Sequence, residues 1–244
     1  MKSPFTLLRS SVALVWVVLS TILYASATML ASLVSRSLML RIQHAWCSHL
    51  LAVAGVRVSC RGIDNLPASG SVVIVSNHQS HIDIPVLFAA LRRPLTFVAK
   101  KELFGIPVFG WAIKLVGHLE IDRGSARKAR ESFNRAVTRM REEDLAVIVF
   151  PEGTRSIGGK LGGFKRGSFS LAVESNVPVI PVAVRGSGLL LPKKSLLIRP
   201  GVVHVEIGEP VAPGDASAAG KEHLCAVSRD RISRALESVD SRDD

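Results

Sequence analysis

Two short polar blocks carry the residue types from which catalysis can be built. The first reads Asn77-His78-Gln79-Ser80-His81-Ile82-Asp83 and follows an apolar, β-branched run over residues 71–76. A turn between His78 and Asp83 can bring a carboxylate to an imidazole. The carboxylate then orients one ring nitrogen and leaves the other to take a proton from a bound hydroxyl. A His–Asp pair can equally be a structural contact or a helix cap. His78, His81 and Asp83 can also bind a metal, although no distant ligand set accompanies them. His81 reads as a supporting or solvent-facing residue rather than the base. The block offers no Ser or Cys at a strained nucleophile elbow, so direct attack by a substrate hydroxyl is simpler than a covalent intermediate.

The second block, Phe150-Pro151-Glu152-Gly153-Thr154-Arg155-Ser156, follows another apolar run, residues 145–150. Gly153 allows close backbone approach, Thr154 offers a hydroxyl, and Arg155 can hold a phosphate through two hydrogen bonds. Glu152 can hold an arginine or a glycerol portion in place; an ordinary polar turn is the alternative for the whole block. Asp122-Arg123 after residues 118–121, and Lys100-Lys101 after residues 95–99, place further cations at run ends. Several such ends can converge on one anionic group.

The elements that must position these blocks alternate. Strands are expected at 71–76, 95–99, 118–121, 145–150, 177–184 and 202–207, and helices at 84–91, 125–141, 167–175 and 221–238. In the second helix Ala126, Ala129, Phe133, Val137 and Met140 recur at three- and four-residue steps, with Arg127, Lys128, Arg135 and Arg139 on the other surface. The order argues for one α/β layer structure, whose strand ends are the usual place for an active site. Residues 103–113 carry no charge and include Phe104, Phe109 and Trp111, broken by Gly105, Pro107 and Gly110. They read as a buried core segment, with an interfacial surface or acyl-chain wall as the functional alternative. Pro and Gly around residues 189–201 mark a loop.

The N-terminal region has a different character. Residues 10–35 carry no charge, and as a helix they span roughly 39 Å against a hydrocarbon core of about 30 Å. Lys2, Arg9 and Ala25-Ser26-Ala27 would suit a cleaved signal, but apolar character continues through Met29, Leu30, Leu33 and Val34, which favours a retained anchor. Residues 36–53 read as a second, amphipathic helix with Leu40, Ala45, Trp46 and Leu51 among its apolar members. Basic residues flank both ends, so charge does not set the topology. The net charge of +11, from 31 basic and 20 acidic residues, suits a surface that meets anionic lipid or nucleic acid. Three Trp and one Tyr are sparse stacking platforms, and no nucleic-acid motif is present, which disfavours the second partner. The three cysteines, Cys47, Cys60 and Cys225, imply neither a disulfide framework nor a zinc motif, and suit a reducing compartment.

Taken together, the blocks resemble those of the glycerolipid acyltransferase family, in particular the 1-acyl-sn-glycerol-3-phosphate acyltransferases of bacterial type. NHQSHID (77–83) matches the family's His, four residues, Asp pattern, and GHLEIDR (117–123) looks like its second block. FPEGTRS (150–156) meets the third and VPVIPV (177–182) the fourth, while AKKELFGIPVFGW (99–111) looks like the lysine-containing segment. The resemblance covers about residues 71–184 in the family's order. It implies a mixed-sheet α/β catalytic domain at 55–244 behind an anchor region at 1–54. It further implies His78 as general base with Asp83 as its partner, Arg123 and Arg155 on phosphate, and Glu152 and Gly153 in the substrate site. Thr154 belongs to that block, and Lys101 is the better match for the family's lysine than Lys100. Glu120 departs from a usually apolar position.

The implied reaction is transfer of a fatty acyl group from acyl-CoA or acyl-carrier protein to the sn-2 hydroxyl of 1-acyl-sn-glycerol 3-phosphate. Phosphatidic acid is the product, and no metal or redox cofactor is called for. Membrane lysophospholipid and acyl-carrier protein are the implied partners, with the catalytic domain on the cytoplasmic side of the cell or inner membrane. Acylation of another lysolipid, such as lyso-ornithine lipid, is the enzymatic alternative, and a lipid-binding adaptor the non-enzymatic one.

Overall fold

The computed structural model describes residues 4–91, 93–121, 126–156, 160–193, 195, 197–215 and 217–238. Continuous apolar, β-branched runs build the centre of one mixed sheet. Strands β1 (Val56–Arg61), β2 (Val72–Ser76), β3 (Leu95–Lys100), β4 (Leu119–Ile121), β5 (Ala146–Val149), β6 (Val179–Arg185) and β7 (Gly201–Ile207) lie in the order β1-β7-β6-β2-β5-β3-β4. Neighbours run parallel except β6 and β7. β2 is buried at every position and pairs Val72 with Ala146 on one side and Val73 with Val179 on the other. A strand buried on both faces needs no polar alternation, which is why VVIVS and AVIV are unbroken.

The helices complete two layers. α1 (Pro4–Ala31), α2 (Arg36–Val53), α3 (Asp83–Ala90), the short α4 (Lys101–Phe104), α5 (Phe109–Val116), α6 (Ala126–Glu142), α7 (Ser170–Ser175), the short α8 (Ser187–Leu190) and α9 (Ala218–Glu237) follow in chain order. One face of the sheet offers Ile74, Ile148, Ile180 and Val203 to Cys47 and Leu51 of α2 and Leu87 of α3. The other offers Val73, Val75, Val147 and Val179 to Met140 of α6, Ala172 of α7, and Leu224 and Ile232 of α9. Alternate residues of one strand thus feed opposite layers, the two-residue period of a pleated chain.

Most expected elements fall within one to three residues of their places. Two regions differ. β1 lies outside the expected strands: Val-Arg-Val-Ser-Cys-Arg presents two arginines, which look like charges flanking an anchor. In the fold they lie on a sheet edge, where only Val56 is buried. Residues 103–113 comprise the end of α4, a turn and the first five residues of α5, and the buried-core expectation holds for three of the eleven. Gly110, Ala112 and Ile113 are buried, whereas Leu103, Ile106 and Trp111 are exposed.

α1 supplies the stretch Val12–Ala31, long and apolar enough to cross a membrane. Its large side chains Val12, Val15, Leu19, Leu23 and Leu30 point outward, and its buried positions are the small Ser20, Ala25, Thr28 and Ala31. Small residues let helix backbones approach closely. α1 returns into α2 through Ser35, whose hydroxyl accepts the Leu38 N–H at 3.2 Å. Trp16 Nε1–H donates to His49 Nε2 at 3.2 Å, tying the two helices side by side.

Candidate active site

β2, β5 and β3 are parallel neighbours, so their C-terminal ends open on one edge of the sheet. The first polar block leaves β2 there, the second leaves β5, and Lys101 opens α4 directly after β3. β4 runs parallel to β3, and the Arg123 expectation lies beyond its end, outside the described residues.

The first block closes on itself. His78 Nδ1 lies 2.7 Å from Asp83 Oδ2, and the same oxygen accepts the backbone N–H groups of Gln79 at 2.7 Å and Ser80 at 2.9 Å. Asp83 is fully buried at the start of α3, while the His78 side chain keeps 18% of its surface in solvent. A carboxylate holding three N–H donors fixes both the turn and the ring. With Nδ1–H committed to Asp83, Nε2 carries the lone pair. Phe150 stacks on the imidazole, with centroids 4.1 Å apart and planes 19° from parallel. The second block therefore supplies a wall against the imidazole.

It also holds the backbone of His78. Glu152 is buried, and its Oε1 accepts the His78 N–H at 2.8 Å while Oε2 accepts the Gly162 N–H at 2.9 Å. Ser156 returns two bonds to the His78 carbonyl oxygen, from its N–H at 2.7 Å and its hydroxyl at 3.2 Å. Gly162 makes room for this approach, since a Cβ there would lie 2.7 Å from Glu152 Oε2 and push that carboxylate aside. The two blocks, 74 positions apart in sequence for His78 and Glu152, are one unit.

The remaining expected residues stand around this unit. Gly153 is exposed with φ +70°, a conformation glycine adopts freely. Thr154 is exposed, and Arg155 is half-buried. Arg155 acts on His81: burial first, then the guanidinium and His78, lowers the His81 pKa against an opposing pull from Asp83. His81 is thereby biased towards the neutral form beside a cation. Lys101 is exposed at the head of α4. Glu120 lies half-buried on β4, in register with Ala99.

Two lysines outside the expected site residues join the second block. Lys165 Nζ would stand 2.8 Å from a Cβ on Gly153. Lys193 Nζ donates to the Arg155 carbonyl oxygen at 2.6 Å and approaches Thr154 Oγ1 at 3.4 Å. The Gly-Gly-Phe-Lys-Arg-Gly run around Lys165 is a usable signal. Lys193 has none, being 38 positions from its partner in an otherwise plain loop.

His118, inside the block that resembles the family's second, is not at the chemistry. It is buried against Phe97, with centroids 3.9 Å apart, and accepts the Phe97 N–H on Nδ1 at 3.3 Å. Its Nε2 meets the Gln43 side chain at 2.5 Å, joining α2 to the sheet. Burial, reinforced by the charge of Arg139, pushes its pKa down to about 3. The folded state therefore refuses a proton that the unfolded chain accepts near pH 6.5. Stability from this residue is complete above that pH and is lost as pH falls from about 6.5 towards 3. Urea titrations should show His118→Gln losing a slope of about 1.4 kcal/mol per pH unit relative to the parent between pH ~6 and ~4. Equal slopes would contradict a neutral buried His118.

Residues 57–185, more than half of the 244, match the sequence model of the family described as Acyltransferase. A 1-acyl-sn-glycerol-3-phosphate acyltransferase of Chlamydomonas reinhardtii is 36% identical over 182 residues, 74% of this chain and 53% of that protein. The corresponding protein of Escherichia coli K12 is 33% identical over 175 residues, 72% of this chain and 69% of its own. This chain thus spans about half the length of the first of these relatives and of the Brassica and Arabidopsis chloroplast proteins. The crystal structure of the 1-acyl-sn-glycerophosphate (LPA) acyltransferase PlsC of Thermotoga maritima superposes with a TM-score of 0.81 at 27% identity, covering 96% of this chain and 98% of that one. The matched region holds the His78–Asp83 turn, both polar blocks and the strands that carry them, and on this agreement of sequence and fold the chain belongs to the acyltransferase family.

Proposed function

We propose that the protein transfers a fatty acyl group from acyl-CoA or acyl-carrier protein to the sn-2 hydroxyl of 1-acyl-sn-glycerol 3-phosphate, forming phosphatidic acid. The observation that carries this reading is the His78–Asp83 contact at 2.7 Å, locked to the loop that bears Arg155. The names of the relatives support the same acceptor. His78 Nε2 takes the hydroxyl proton as the oxygen attacks the thioester carbonyl carbon. Asp83 stabilises the imidazolium. The tetrahedral intermediate collapses with cleavage of the C–S bond, and the departing thiolate receives the proton from His78. Arg155, with Lys101 and Arg123, holds the acceptor phosphate and so sets the position of the hydroxyl. Thr154 and Gly153 line that subsite.

Residues 1–54 serve in this reading as the membrane anchor, with α2 as an amphipathic partner to α1, and residues 55–244 as the catalytic domain. The catalytic domain stands on the cytoplasmic side of the cell or inner membrane, where soluble acyl thioesters are made available. The test is a matched transfer assay with the full chain, several lysolipid acceptors, and both donor types. Arg155→Ala should lower kcat/KM on the phosphorylated acceptor ~10-fold to ~100-fold, the equivalent of about 1.5–3 kcal/mol for a bond to a charged group. Acceptors without a phosphate monoester should lose far less. Equal loss on both classes would remove Arg155 from the phosphate site.

A further inference from the structure

Apart from Lys101, the catalytic reading leaves α4, α5 and the turn between them without a role. Leu103, Ile106, Trp111 and Leu115 are 38%, 43%, 53% and 45% exposed. Four large apolar side chains on one short element form more than the scattered exposure ordinary for a protein in water. The inward face of α5 is complete, with Gly110, Ala112, Ile113 and Val116 buried, so the outward residues are not waiting to join the core. α5 packs against α1, and Phe109 at its head meets Trp46 of α2, with centroids 6.2 Å apart. The element that bears the patch therefore lies alongside α1, whose own large apolar side chains are exposed.

The backbone between the two helices is held in a costly form. Phe109 N–H donates to Pro107 O at 2.7 Å across Val108, whose φ is 64° and ψ −58°. This is the rare γ-turn, here centred on a β-branched residue. Gly110 then lets α5 meet α4, since a Cβ there would lie 2.3 Å from the Phe104 carbonyl oxygen. A strained turn fixed by close helix contact keeps Ile106 and Pro107 exposed at its tip. Strain of this kind gathers where a segment does work. Lys101 and Lys114, both exposed, lie on the same element.

We propose that α4–α5 is a second lipid-contacting element, which sinks Ile106, Trp111 and their neighbours into the interface of an anionic bilayer beside α1. An indole at the headgroup boundary, apolar side chains below it and lysines around it are the composition that such an interface selects. The partner is a lipid surface because the patch sits on an element packed against a helix already apolar enough to enter one. Since Lys101 opens α4, this seating also brings the C-terminal edge of the sheet to the level of lipid headgroups. That consequence rests on the acyl-transfer reading; the contact itself does not.

The test uses the full chain in vesicles of phosphatidylcholine and phosphatidylglycerol, recovered by flotation, with brominated acyl chains as quencher. Trp16→Phe with Trp46→Phe leaves Trp111 as the reporter, and Trp46→Phe with Trp111→Phe leaves Trp16 in α1 as the reference. The expected result is loss of most Trp111 emission in brominated vesicles, most strongly with bromines near the headgroup end of the chain. Undiminished Trp111 emission in recovered vesicles overturns the proposal, whether or not Trp16 is quenched. Acyl transfer is measured separately on the same preparations. Failure of transfer with Trp111 quenched condemns the activity and leaves the surface, and the reverse pattern condemns the surface alone.

Discussion

Replacing His78 with Ala should lower the turnover number by ~10²-fold to ~10⁴-fold, the range contributed by a positioned general base, while lysolipid binding changes little. The imidazole is held at three points. Asp83 fixes Nδ1 at 2.7 Å, Phe150 stacks on the ring at 4.1 Å, and the backbone is gripped by Glu152 and Ser156. Such constraint is what a base needs to present Nε2 to one hydroxyl with no loss of rotational freedom at each turnover. Ala removes the acceptor and leaves the Asp83 carboxylate with its two backbone donors, so the turn itself should survive. Single-turnover transfer from acyl-CoA, set beside lysolipid binding measured without donor, separates the two effects. Unchanged transfer would end the assignment of His78 as base.

Much of this arrangement is legible in the order of the residues. The strands β2 and β5 announce themselves because burial on both faces leaves no polar residue inside them. The first block stands out because a polar run directly after such a strand falls where an α/β sheet presents a site. What the residue order conceals is partnership across distance. β1 needs β7, 145 positions on at Val56 and Gly201, to make an edge strand of an Arg-bearing segment. Residues 103–113 show by composition that they avoid charge, but composition alone does not separate the buried Ile113 from the exposed Ile106. Both satisfy the same count, and only their places in the fold decide between core and surface: Ile113 lies on the inward side of α5 and Ile106 in the turn before it. Lys193 reaches Arg155 from a loop whose spacing carries no information about it.

Replacement of Glu152 carries the second large effect. The resemblance implies a substrate-site carboxylate, and in the fold each of its oxygens accepts a backbone N–H, of His78 at 2.8 Å and Gly162 at 2.9 Å. Bonds to a charged acceptor contribute about 1.5–3 kcal/mol each, and a buried N–H left unpaired costs a comparable amount. Glu152→Gln keeps the shape but turns one acceptor into an NH₂ facing an N–H, so one bond is exchanged for a clash of donors. The loop carrying His78 must then shift, and displacement of a reacting group by about 1 Å can cost ~10²-fold in rate. The expected outcome is a fall of kcat by ~10-fold to ~100-fold on every acceptor, phosphorylated or not, with KM for the phosphorylated acceptor nearly constant. A carboxylate that instead touched the glycerol would give the opposite split, a raised KM selective for the acceptor whose hydroxyls it held. The first outcome would make Glu152 a positioning residue, acting on the acceptor hydroxyl only through the imidazole whose backbone it holds.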